Sequence, residues 1–97
     1  MKVSVRFFTS LREIVKKKEE ILEFPDDEKV TVDTVLKTLS QRHGKGFAEY
    51  VYDIKTHEVR AFLQFLINGK NASSLNGLQT KIKDGDVLAL LPPIGGG

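Results

Sequence analysis

The period of the apolar side chains changes along these 97 residues, and that change limits the fold more sharply than any composition figure. From Lys2 to Phe8 the residues alternate, with Val3, Val5 and Phe7 on one face and Lys2, Ser4, Arg6 and Phe8 on the other; this is a half-buried strand. Ser10-Leu11-Arg12-Glu13 fits a capping box, and Leu11, Ile14 and Val15 form a short apolar stripe behind it. Lys16, Lys17 and Lys18 then fall where a helix C-terminus favours cations. Ile21 to Phe24 reads as a second strand, and Pro25 to Glu28 as an acidic turn.

From Thr31 the period becomes helical. Val32, Val35, Leu36 and Leu39 stand at i, i+3, i+4 and i+7, Thr31 is the expected cap, and Gly44 is placed to stop the helix. Phe47, Tyr50 and Val51 suggest one more helical turn, followed by a polar loop from Lys55 to Arg60. Phe62 to Ile67 returns to strand and ends at the Asn68-Gly69 turn signal. Leu75 and Leu78 are expected to anchor an irregular segment, Asp84-Gly85-Asp86 to turn the chain, and Val87 to Leu91 to form the last strand. The order strand, strand, helix, strand, strand predicts an α+β domain: a sheet packed on one main helix.

Composition narrows the function. A chain of this length with 40% hydrophobic residues builds one core, with no room for a separate catalytic domain. A net charge of +2 from nearly balanced acids and bases gives no electrostatic case for nucleic-acid binding. The absence of cysteine excludes a disulfide framework, a thiol nucleophile and thiolate metal sites. His43 and His57 lack companions at metal-ligand spacing, and no metal site is expected. Glu19-Glu20 and Asp26-Asp27-Glu28 read as solvated carboxylates beside turns, and Ser73 and Ser74 lack a nucleophile-elbow context. No apolar run approaches membrane-spanning length, and no charged-then-apolar leader precedes the first strand. The expected location is cytoplasmic.

The chain closes on Pro92-Pro93-Ile94-Gly95-Gly96-Gly97. Proline favours an extended path, and glycine leaves nothing to obstruct a narrow channel or an approaching nucleophile. The reactive group so presented is the Gly97 carboxylate. A glycine-rich end taken alone favours a frayed terminus or a linker. It is not a phosphate-cradling loop, because no helix follows it. Alternation also turns Phe8, Leu66 and Leu91 to the sheet face away from the helix, which makes them candidates for a docking patch.

Several islands, in order along nearly the whole chain, carry a resemblance. They are Val5 to Glu13 with its double phenylalanine and Leu-Arg-Glu, Thr31 to Leu36 with Leu39, Ile67-Asn68-Gly69-Lys70, and Asp84 to Ile94 followed by Gly96-Gly97. Together they resemble the MoaD/ThiS family of ubiquitin-like sulfur carriers, more closely the MoaD branch, the small subunit of molybdopterin synthase. Gly95 departs from the Ala, Ser or Thr usual before the diglycine, and residues 44–61 form a longer connection than shorter members have.

The resemblance implies a β-grasp fold with a mixed sheet, one domain over residues 1–97 and a flexible tail from 92. It implies that a ubiquitin-activating-type enzyme, consuming ATP, adenylates Gly97, and that a sulfurtransferase then leaves a thiocarboxylate there. The chain itself would bind no cofactor and catalyse nothing alone. In the MoaD branch the tail enters a MoaE-type large subunit and gives sulfur to a pterin precursor, with Ile94, Gly95, Gly96 and Gly97 threading and Pro92 and Pro93 holding the tail off the sheet. Phe8, Leu66 and Leu91 would contact the partners. The alternatives are a ubiquitin-like modifier joined through Gly97 to lysines, a thiamine-pathway sulfur carrier, and an interaction module with an inert tail.

Overall fold

The alternating start of the chain forms β1 (Lys2–Phe7), with Val3, Val5 and Phe7 fully buried. The computed structural model describes residues 1–93; Ile94, Gly95, Gly96 and Gly97, and the expectations that rest on them, lie outside the described residues. After β1 come α1 (Thr9–Val15), β2 (Glu19–Glu23), α2 (Val32–His43), α3 (Lys45–Val51), β3 (Gln64–Ile67), β4 (Lys70–Asn71) and β5 (Val87–Leu91). Two single 3-10 turns, Ala72–Ser74 and Gly77–Gln79, occupy the β4–β5 connection.

The sheet order is β2-β1-β5-β3-β4. β1 and β5 are parallel and the other pairs antiparallel, so the sheet is mixed. The i, i+3, i+4, i+7 residues of α2 are all fully buried and meet the inner residues of the sheet, among them Phe7, Leu22, Leu88 and Leu90. This is the β-grasp arrangement, with α2 as its main helix. Thr31 caps α2 as the sequence predicts: its hydroxyl accepts from the Thr34 amide at 3.2 Å, and the Thr34 hydroxyl accepts from the Thr31 amide at 3.1 Å. Gly44 ends the helix with φ +79°, a backbone region costly for other residues.

Several local expectations are corrected. The Ser10–Glu13 capping box does not form; α1 starts earlier, with Phe8 at its N-cap and no side-chain cap. The Phe8 carbonyl accepts the Leu11 and Arg12 amides, and Thr9 turns the chain with φ 45°. The single helical turn expected near Phe47 is the seven-residue α3, which buries Phe47 and Val51. A fifth strand, β4, pairs with β3 across the Asn68-Gly69 turn, whose two positive φ angles suit a tight hairpin. Phe62 precedes β3 rather than opening it. Leu75 does not anchor its segment, being 47% exposed, while Leu78 packs against the core.

Glu20 is the largest departure from the sequence reading. It is opposite Val5 in the β1–β2 register, so the alternation that buries Leu22 also turns Glu20 inward, and it is 7% exposed rather than solvated. The end of α2 supplies its partners: Arg42 Nη1 lies 2.8 Å from Oε2 and His43 Nε2 lies 2.7 Å from Oε1. His43 in turn packs edge-on to Phe7 and tilted on Phe47. Burial pushes the Glu20 carboxyl up, but the hydrogen bonds from His43 and Arg42 outweigh it and hold the group below its ordinary 4.5.

Two stability measurements follow. Thr31→Ala should cost about 1 kcal/mol in urea unfolding; an unchanged midpoint would remove the cap from the account of α2. A depressed carboxyl gives stability that is complete above its ordinary value and lost as the pH falls through the folded one. Glu20→Gln should therefore cost roughly 2 kcal/mol near neutral pH and lose less than the parent chain on acidification below about pH 4.5. Equal acid losses in the two proteins would show that this carboxylate is not the source.

Candidate functional site

The approach to the tail is built by β5, which lies between β1 and β3. Leu88 and Leu90 face inward and are fully buried, while Val87, Ala89 and Leu91 are half-buried on the outer face. Asn68 fixes where β5 begins: its Oδ1 accepts the Val87 amide at 2.9 Å and its Nδ2 donates to Asp86 at 2.9 Å. Leu90 is level with Phe7 of β1 and with Phe65 of β3, and Leu91 is level with Gln64. The chain thus leaves the sheet next to Phe8, the residue that follows β1.

A groove of about 380 Å³ opens at this point, lined by Phe8, Phe62, Gln64, Leu91, Pro92 and Pro93. Pro92 is buried and Pro93 half-buried, so the packed body extends through the first proline. Of the residues singled out from sequence, Phe8, Leu91, Pro92 and Pro93 come together here. Leu66 is half-buried on the same outer face, opposite Ala89, but does not line the groove.

Sequence reasoning missed Phe62. It is 46% exposed and packs edge-on against Tyr50 of α3 at 5.9 Å between ring centroids. The signal was present: Phe62, Gln64 and Leu66 share one alternation parity, so the argument that selects Leu66 also selects Phe62.

Arg12 was missed as well. Its Nε donates to the Phe7 carbonyl at 3.3 Å, and its guanidinium carbon stands 5.9 Å from the centre of the Phe8 ring, within cation–π range. On that side Phe8 also walls a second recess, of about 330 Å³, shared with Arg6, Arg12, Lys18 and Glu19. Arg6 is paired with Glu19 at 3.1 Å.

No group of three or more metal-ligating side chains occurs among the described residues, and His43 is engaged by Glu20. A broader groove of about 720 Å³ lies between α2, α3 and the loop that follows, next to Ser40, Ala48, Tyr52 and Ile54. None of the tail-root residues reaches it, and burial raises the Tyr52 phenol, which keeps it neutral. Chemically, the surface around Pro92 and Pro93 presents apolar rings with a held cation behind Phe8. No helix among the described residues is long and apolar enough to cross a membrane.

Comparison with known proteins places this geometry. The profile of the ThiS family matches residues 5–97. The chain is 34% identical to Small archaeal modifier protein 3 of Haloferax volcanii over 97 residues, covering all of both chains. The crystal structure of SAMP1 from Haloferax volcanii superposes with a TM-score of 0.84 at 25% identity, again over all of both chains. A putative molybdopterin converting factor, subunit 1, from Pyrococcus furiosus superposes at 0.74 with 28% identity, over 97% of this chain and 99% of that one.

Proposed function

This chain belongs to the ThiS/MoaD family of ubiquitin-like sulfur carriers, and from that premise we propose that it works through the carboxyl group of Gly97. Small carriers of this kind are generally non-catalytic. In this reading the Gly97 carboxylate attacks the α-phosphate of ATP in a ubiquitin-activating-type enzyme, releasing pyrophosphate and forming an acyl-adenylate. The terminal persulfide sulfur of a sulfurtransferase then attacks the Gly97 carbonyl carbon and AMP leaves; a thiol cleaves the resulting acyl disulfide, forming a disulfide with the sulfurtransferase sulfur and leaving a thiocarboxylate on Gly97. The ATP is consumed by the partner, and the carrier binds no cofactor of its own. Sulfur rides on the terminus of a chain that has no cysteine to carry it.

The observation that carries the reading is the extent of the family match, which runs to residue 97 and so includes the diglycine Gly96-Gly97. The groove at Phe8, Leu91 and Pro93 supports it, because an enzyme acting on Gly97 needs a hold on the carrier body near the tail. The narrower assignment is a cytoplasmic small subunit of molybdopterin synthase, whose tail threads into a MoaE-type subunit through Ile94, Gly95, Gly96 and Gly97. Its support is the Leu91-Pro92-Pro93-Ile94 approach and the likeness to the Pyrococcus furiosus protein.

A second reading has its own support in the full-length match to a small archaeal modifier protein. There a lysine amine attacks the same adenylate, AMP leaves, and an isopeptide forms. Both fates share every step up to adenylation.

Mass spectrometry of the tryptic peptide Asp84–Gly97 from the native cells separates them. Sulfur in place of one carboxylate oxygen is the expected product of the carrier; a peptide joined to a substrate lysine is that of the modifier; only unmodified peptide would count against both. Gly97→Ala, or one added C-terminal residue, should abolish thiocarboxylation in a folded protein, and retained transfer would exclude this mechanism. Phe8→Ala should leave the fold intact and weaken partner binding by about 2 kcal/mol, as an interface anchor does; unchanged affinity would remove Phe8 from the site.

A further inference from the structure

Phe8 is a wall common to two recesses of opposite chemistry, the apolar groove at the tail root and the cleft shared with Arg6, Arg12 and Lys18. In that cleft Glu19 neutralises Arg6, whereas Arg12 and Lys18 make no ion pair among the described residues. The hydrogen bond to the Phe7 carbonyl and the Phe8 ring hold the Arg12 cation in place, so little side-chain entropy remains to be lost when a carboxylate meets it. Across the groove, Phe62 is kept half-open by the edge of Tyr50. Tyr50 belongs to α3, so the long 44–61 connection shapes the tail root.

From this geometry we propose that the tail-handling partner covers the root with an acidic segment bearing one bulky apolar side chain. The apolar group seats between Phe8 and Phe62, and flanking carboxylates meet Arg12 and Lys18. The inference rests on the activation of Gly97 proposed above. Two constraints single out that partner as the occupant. Gly97 stands four residues beyond Pro93, a reach of at most about 14 Å when fully extended, so an enzyme holding Gly97 must lie close over this groove. Arg12 and Lys18 in the adjoining cleft, without an ion pair among the described residues, favour a partner of opposite charge. Phe62 then acts in recognition, and residues 44–61 help to select the partner.

The test is ATP–pyrophosphate exchange by the purified ubiquitin-activating-type enzyme of the same organism, with the full-length carrier varied as substrate at low and high salt. Phe62→Ala should raise the KM for the carrier about tenfold with kcat little changed, and Phe62→Leu should restore most of the loss. Arg12→Gln and Lys18→Gln should each raise KM about threefold at low salt and flatten its salt dependence, while Arg12→Lys should keep the salt dependence of the parent. Leu75→Ala, an exposed apolar truncation outside the groove, should change nothing. Circular dichroism and urea midpoints confirm that each variant is folded. A folded Phe62→Ala protein within twofold of the parent KM would overturn the apolar seat. Unaltered salt dependence in both charge variants would overturn the acidic character of the partner, as would failure of Arg12→Lys to retain it. Absence of exchange with the parent chain removes the activation reading, and this inference with it; exchange with unaffected variants removes this inference alone.

Discussion

β5 lies between β1 and β3, and its parallel pairing with β1 is the constraint on which the other features depend. It places Leu88 and Leu90 beside Val5 and Phe7 in one buried layer under α2, so the strand leading to the tail is part of the core. The same register brings Leu91 out next to Phe8 and opposite Gln64. A carrier tail attached to an edge strand or a loop would swing with its support. Here the strand that leads into Pro92 is held on both sides by backbone hydrogen bonding.

Much of this was legible because periodicity reports burial directly. Val3, Val5 and Phe7, and then Val32, Val35, Leu36 and Leu39, occupy the inward positions that alternation and helical spacing assign them. What periodicity does not report is partnership across the chain. Glu20 reads as a surface charge beside its neighbour Glu19, yet strand parity turns it inward, and the groups that make this tolerable are 22 and 23 residues away at the end of α2. Nor does a local motif survive a competing one: Ser10 and Glu13 have the spacing of a capping box, but the tight exit from β1 begins the helix at Thr9. The parallel β1–β5 pairing itself was reachable only through resemblance to a family, since alternation is blind to which strand lies next to which.

The candidate site shows the same division. Parity points to Phe8 and Leu91, and equally to Phe62, whereas Arg12 is hidden by its membership of a helix motif. The contacts of Phe62 and Arg12, one with Tyr50 and one with the Phe8 ring, are visible only in three dimensions. The surface around the tail root is therefore assembled from three separate stretches of chain: residues 8–12, the end of the 44–62 connection, and residues 91–93.

The central position of β5 also links synthesis to competence. A chain that stops before residue 87 leaves β1 and β3 with no strand between them, exposing two unpaired edges and removing Leu88 and Leu90 from the apolar layer under α2. Such a fragment lacks the central strand against which β1 and β3 both pair. Completion of the fold therefore requires that the chain has been made through to the strand that leads into Pro92.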